Sequence, residues 1–160
     1  MVNAVFAGSF DPPTKGHLNI IERASKLFSH LDVVIAVNIE KKSLFSIEER
    51  IFFINEMVKH LENVSVSSWN GLVVDFAEQK NASVLVRGVR NDIDFDYEFE
   101  LSKINRRLNP EIETVFIPTE NELSVCKSST VKELAKYHQD VSDLVSPVVN
   151  EALMKKFQVE

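Results

Sequence analysis

The run Val5-Phe6-Ala7-Gly8-Ser9-Phe10-Asp11-Pro12-Pro13-Thr14-Lys15-Gly16-His17 gathers groups that suit an anion. A neutral imidazole already donates a hydrogen bond, and a protonated one donates a stronger bond. His17 could therefore stabilise charge growing on a phosphoryl group under attack. Ser9 offers a hydroxyl, and the first-turn amides near Gly16 and His17 offer further donors. Gly8 would let the backbone approach a ligand without a side chain in the way. Farther along, Arg87 and Arg90 bracket Gly88, and two guanidinium forks can clamp a phosphorylated ligand. Lys41 and Lys42 add charge, while Ser128-Ser129-Thr130 offers hydroxyls and amides at a helix start. Each group also has a plain reading: a surface histidine, a solvated charged loop, a helix cap. What favours function is that all of them fall on one predicted rim.

Other chemistries fit the spacing poorly. The glycines match neither the dinucleotide fingerprint nor the Gly-rich loop ending in Gly-Lys-Ser/Thr. His30, His60, His138 and Cys126 make no zinc-ligand pattern with His17. The acidic stretch from Asp92 to Glu100 lacks the spacing of a calcium loop. It reads as helix-start and surface charge, with Glu98 turned toward the pocket and Phe95 and Phe99 forming a packing pair.

The rim requires strands that end beside one another. Val5–Ala7, Val33–Val37 and Val84–Val86 are apolar runs that suit buried parallel strands. Val64–Ser67 and Ile112–Ile117 supply two shorter ones, the latter mixed in polarity as an edge strand would be. Between them the period changes. Leu18, Ile21, Ala24 and Phe28 mark a helix from Gly16. Ser46 and Glu49 form a capping box ahead of an apolar stripe that includes Ile47, Ile51, Ile54 and Val58. Helices are also predicted over Leu72–Gln79, about Asp94–Leu108, Ser128–Tyr137 and Pro147–Phe157. Alternating strands and helices predict an α/β fold with a parallel sheet and right-handed crossovers. Ligands of such sheets lie beyond the carboxyl ends of the strands, near a switch in strand order.

A chain of 160 residues suits a single domain, 1–160, with closing helices from about 128. The formal charge of -6 argues against bulk nucleic-acid binding and leaves single nucleotides open as ligands. No apolar run is long enough for a membrane span, and Val2–Ala7 reads as a first strand, not a leader. The lone Cys126 excludes an intrachain disulfide and fits a reducing compartment.

Taken together, several segments resemble the bacterial phosphopantetheine adenylyltransferases, among the HxGH-type nucleotidyltransferases. They are Ala7-Gly8-Ser9-Phe10-Asp11-Pro12, Thr14-Lys15-Gly16-His17, Phe45-Ser46-Ile47-Glu48-Glu49-Arg50, Val86-Arg87-Gly88-Val89-Arg90, Asp94-Phe95-Asp96-Tyr97-Glu98 and Ser128-Ser129-Thr130-Val131-Lys132-Glu133. Thr14 stands at the first histidine of the motif, and Ser9 where threonine is frequent. Cys126-Lys127-Ser128-Ser129 replaces a frequent Ile-Ser-Ser-Ser, and Lys127 is expected to add charge to nucleotide binding.

The resemblance implies a Rossmann-like five-stranded parallel sheet in the order 3-2-1-4-5, with helices on both faces. It implies transfer of AMP from ATP to 4'-phosphopantetheine, giving dephospho-CoA and pyrophosphate, with Mg²⁺, in a cytoplasmic homohexamer. His17 would stabilise the transition state. Ser9, Phe10, His17, Gly88, Val89, Arg90, Glu98 and the segment Leu123-Ser124-Val125-Cys126-Lys127-Ser128-Ser129 would meet ATP. Ser9, Lys41, Val73 and Arg87 would meet the acceptor. A related enzyme acting on nicotinate mononucleotide or a phosphorylated alcohol would share the chemistry and differ on that acceptor side. A nucleotide or CoA sensor without turnover, and an oligomeric structural protein, are the readings from other classes.

Overall fold

A computed structural model describes residues 1–158. The apolar runs form β1 (Asn3–Gly8), β2 (His30–Ala36), β3 (Val64–Trp69), β4 (Val84–Val89) and β5 (Glu113–Pro118). All neighbours pair in parallel, in the order β3-β2-β1-β4-β5 that the resemblance implies. The order reverses between β1 and β4, so their carboxyl ends open a crevice at the switch point.

The helices are α1 (Lys15–Leu27), α2 (Ile47–Val58), α3 (Val73–Gln79), α4 (Asp92–Leu108), α5 (Ser128–Lys136) and α6 (Pro147–Phe157). Alternation along β1 divides the core. Ala4 and Phe6 face Ile20 and Ile21 of α1 and Ile54 of α2, while Val5 and Ala7 face Val74 and Ala77 of α3. Because both faces are covered, the strands can be apolar throughout. A further cluster joins Phe45 and Phe53 to Val131 of α5 and to Val149 and Leu153 of α6. Among the described residues no helix is long and apolar enough to cross a membrane.

The capping box at α2 forms as expected, with the Glu49 amide donating to Ser46 Oγ at 3.1 Å and the Ser46 amide to Glu49 Oε2 at 2.8 Å. Ile54 and Val58 of the expected stripe are buried; Ile47 and Ile51 are half-buried, and Phe53 and Met57 complete the face. Two boundaries and one cap differ in ways that matter for the site. β4 continues to Val89 because β5 supplies a ladder pairing Arg87 with Phe116 and Gly88 with Ile117. Arg87 is thus a strand residue. α4 begins at Asp92, since the Asn91 side chain accepts the Asp94 amide and caps the helix two residues early. α5 has Lys127 at its N-cap position with no side-chain cap, and the Ser128 hydroxyl donates instead to the Pro12 carbonyl at 2.8 Å. A short 3₁₀ turn, Asn121–Leu123, went unpredicted.

α4 buries none of its residues in the chain. Phe95 and Phe99 stack as a pair with centroids 5.7 Å apart, yet Ile93, Tyr97, Ile104 and Leu108 stay exposed.

Candidate active site

A cavity of about 200 Å³ occupies the crevice between the carboxyl ends of β1 and β4. His17 forms part of its wall from the first turn of α1. Thr14 caps that helix, and its backbone amide donates to His17 Nδ1 at 3.0 Å. A backbone amide can only donate, so Nδ1 carries a lone pair and the neutral ring holds its proton on Nε2. The Thr14 hydroxyl donates to the Cys126 carbonyl at 3.0 Å, binding the segment before α5 to the same turn. Threonine at this motif position therefore orients the histidine and the expected nucleotide segment together. Phe10 meets the imidazole edge-on at 4.9 Å between centroids.

Burial, and then the positive charges of Arg90 and Arg87, hold the His17 pKa down to about 4, from an ordinary 6.5. The ring is neutral at pH 7 and still a donor. Between these two values the unfolded chain carries the extra proton. The stabilisation tied to neutral His17 is therefore complete above pH 6.5 and is lost as pH falls toward 4. NMR titration of the free protein should give a His17 midpoint near 4, and kcat/KM should show no inflection near 6.5 from this residue. A midpoint close to 6.5 would contradict this environment.

Both arginines reach the cleft already held by α4. Arg87 donates from Nε and Nη2 to the two Glu98 oxygens at 2.6 and 2.7 Å, and from Nη1 to the Ala7 carbonyl at 2.8 Å. Arg90 donates from Nε to Asp94 Oδ2 at 2.9 Å. Asp94 and Glu98 lie four residues apart, on one face of α4, so a single helix orients both guanidinium groups. Arg90 gives Asp94 the Nε side of its fork and keeps its Nη1 donors for phosphate oxygens. Arg87, whose Nη1 also meets the Ala7 carbonyl, keeps one N–H on each Nη.

Gly8 and Gly88 serve packing more directly than ligand approach. A Cβ on Gly8 would meet the Phe10 ring at 3.2 Å, and one on Gly88 would meet Ile20 Cγ1 at 3.1 Å. The first glycine makes room for an aromatic ring and the second for α1 against β4. Both also border the crevice, so the packing role stands beside the expected backbone approach to a ligand.

The expected site residues divide into groups. Phe10, His17, Arg87, Gly88, Arg90, Glu98, Leu123 and Cys126 border the crevice. Ser9, exposed, lies at its mouth in the loop after β1, and Val89 ends β4. Ser124, Val125, Lys127, Ser128 and Ser129 follow the 3₁₀ turn into α5 and lie outside the lining. Lys41 is exposed in the loop after β2, away from the lining. Val73 borders a second, mainly apolar cavity of about 210 Å³ with Leu72, Leu101 and Asn105. Arg87 and Ala7 line both cavities. Sequence reasoning missed Asp94, Leu101 and Asn105. Arg90 and Asp94 stand at helical spacing, as do Leu101 and Asn105, and this was the signal available.

Among the described residues, no group of three or more His, Cys, Asp or Glu side chains could hold a metal ion. The carboxylates that border the crevice, Asp94 and Glu98, are paired with Arg90 and Arg87.

A solved structure from Vibrio parahaemolyticus, of a candidate nicotinate-nucleotide adenylyltransferase, superposes with a TM-score of 0.73. The match covers 99% of this chain and 98% of that one at 20% identity, which establishes a common fold. The cytidylyltransferase-like family matches residues 5–134, from β1 through most of α5. Those residues include the Thr14–His17 turn, the Arg87–Arg90 segment and the α4 carboxylates, and the chain belongs to this family of nucleotidyltransferases.

Proposed function

We propose that the chain transfers the adenylyl group of ATP to 4'-phosphopantetheine, giving dephospho-CoA and pyrophosphate in coenzyme A biosynthesis. The observation that carries this acceptor is the place of Arg87, which borders both the His17 crevice and the apolar cavity of Val73, Leu101 and Asn105. An acceptor with a phosphate at one end and a long uncharged arm fits that geometry. Its phosphate meets Arg87, and the arm lies along Val73 and Leu101 with Asn105 able to bond an amide. The Thr-x-Gly-His, Arg-Gly-x-Arg and Asp-Phe-x-Tyr-Glu segments support the same assignment.

In this reading an acceptor phosphate oxygen attacks the α-phosphorus of ATP in line, and the bond to the bridging oxygen breaks to release pyrophosphate. No covalent intermediate on the protein is needed. Catalysis rests on positioning and charge stabilisation. His17 donates its Nε2 proton in a hydrogen bond to the phosphate under attack. Ser9, Phe10, Gly88, Val89, Arg90, Glu98 and the 123–129 segment form the nucleotide side, and Glu98 also orients Arg87. Ser9, Lys41, Val73 and Arg87 form the acceptor side. Mg²⁺, bound together with ATP, would supply charge neutralisation on the triphosphate. The exposed apolar residues of α4 supply a surface for subunit contact, in keeping with a homohexamer, and a cytoplasmic setting completes the reading.

The test is a pyrophosphate-release assay with ATP and a panel of phosphorylated acceptors. Turnover should be highest with 4'-phosphopantetheine and low with nicotinate mononucleotide. A preference for the mononucleotide would reassign the acceptor, and release with none of the panel would leave a nucleotide-binding protein without turnover.

A further inference from the structure

Asp11 is a buried carboxylate, 5% exposed, that the reading above leaves without a role. It sits in the loop after β1, two residues beyond Ser9. Its Oδ2 accepts the Leu44 amide and its Oδ1 the Phe45 amide, each at 2.9 Å. The Lys132 ammonium of α5 also donates to Oδ2, at 3.2 Å. Burial alone would raise the pKa of this carboxyl, but the two amides and Lys132 together hold it below its ordinary value. It is thus ionised at neutral pH, an acceptor for all three donors.

These partners come from opposite sides of the crevice. Lys132 is one turn beyond Ser128 and Ser129, on the nucleotide side. Leu44 and Phe45 close the loop that carries Lys41, on the acceptor side. Between them the Ser9–Phe10 turn is held firmly. Arg50 donates to the Ser9 carbonyl at 2.8 Å, and the Ser128 hydroxyl donates to the Pro12 carbonyl. Phe10 has a φ of 49°, a conformation that a bulky residue keeps only where its surroundings impose it. A carboxylate needed for stability alone could take its donors from one segment. This one takes them from two segments whose relative position decides how two bound phosphates meet.

We propose that Asp11 is a positioning residue that couples the nucleotide side to the acceptor side, through one carboxylate shared by Lys132 and the amides of Leu44 and Phe45. It touches neither substrate. Occupancy of the nucleotide side orders the start of α5, and Lys132 transmits that order to the loop that presents Lys41. The inference rests on the assignment of those two segments to the two substrate sides.

Hydrogen exchange at the Leu44 and Phe45 amides, with and without a non-hydrolysable ATP analogue, tests it. The analogue should slow both amides in the wild-type chain. Asp11→Asn keeps the shape but loses the charge and one acceptor. It should bind the analogue within about threefold of wild type, show no slowing at these amides, and lose about tenfold or more in kcat. Lys132→Gln leaves both amide bonds in place and cuts only the connection to α5. Slowing should disappear there too, which decides the matter if Asp11→Asn fails to fold. Three results would overturn the proposal: no slowing in the wild type, wild-type slowing in either folded variant, or a kcat for folded Asp11→Asn within about twofold of wild type. A wild-type chain inactive on 4'-phosphopantetheine removes the acceptor assignment alone, because the exchange measurement needs no turnover.

Discussion

Replacing His17 with alanine should lower kcat about a hundredfold or more while the protein stays folded. One oriented donor to a developing oxyanion contributes about 3 kcal/mol, which corresponds to roughly that factor in rate. The structure makes the donor a neutral Nε2–H, fixed in direction by the Thr14 amide on Nδ1. Its benefit grows as charge develops, so KM for ATP should move far less than kcat. The capping bond from the His17 amide to Thr14 Oγ1 uses backbone and survives the change. Alanine does remove the reciprocal bond to the Thr14 amide, at a cost of about 1 kcal/mol in stability. Pyrophosphate release at saturating substrates, with circular dichroism and a melting curve, separates the two effects. A near-wild-type kcat would remove His17 from the chemistry.

The second large effect is expected at Arg87. Arg87→Ala should reduce kcat/KM for the acceptor about a hundredfold or more and change the affinity for ATP alone by much less. Losing a charge-assisted bond to phosphate costs about 2–5 kcal/mol when the partner is desolvated. The Arg87 and Glu98 side chains are 24% and 12% exposed, so the variant also leaves a half-buried carboxylate without its counter-charge. Stability should fall by about 1–3 kcal/mol, visible as a lower Tm. Arg87→Lys should restore little. An ammonium cannot bridge both Glu98 oxygens and reach the Ala7 carbonyl as the planar fork does. Equal losses for ATP and acceptor would mean that Arg87 serves both sides. Glu98→Gln provides the control, since it releases Arg87 from its partner while retaining the positive charge.

The contrast between these residues and Asp11 shows how much was legible beforehand. His17 could be read because its cues are contiguous: the two prolines of the turn, a glycine and the change of period that starts α1. The Ser46–Glu49 capping box was readable for the same reason, since both of its bonds span three residues. Strands β2 and β4 declared themselves through β-branched runs, although β4 proved longer because the β5 ladder extends it. Asp11 had no such cue. Its amide partners lie 33 and 34 residues away and its lysine 121, and only the folded sheet brings them together. The packing role of Gly8 was not legible for a related reason, because the Phe10 ring that fills its space returns through a turn with positive φ.

The sequence by itself determined the alternation of strands and helices, the parallel sheet, and the helix start that presents His17. Those features follow from periodicity, capping and residue chemistry over a few neighbouring positions, where backbone geometry is nearly set by local sterics. Tertiary structure decided which carboxylate holds which arginine, that Arg87 stands between two cavities, and that the His17 ring is neutral. Burial and charge both act through space. A pKa held at about 4 therefore depends on burial of the ring, and then on Arg90, just past β4, and Arg87, within it, arriving beside the first turn of α1. No spacing along the chain encodes that distance.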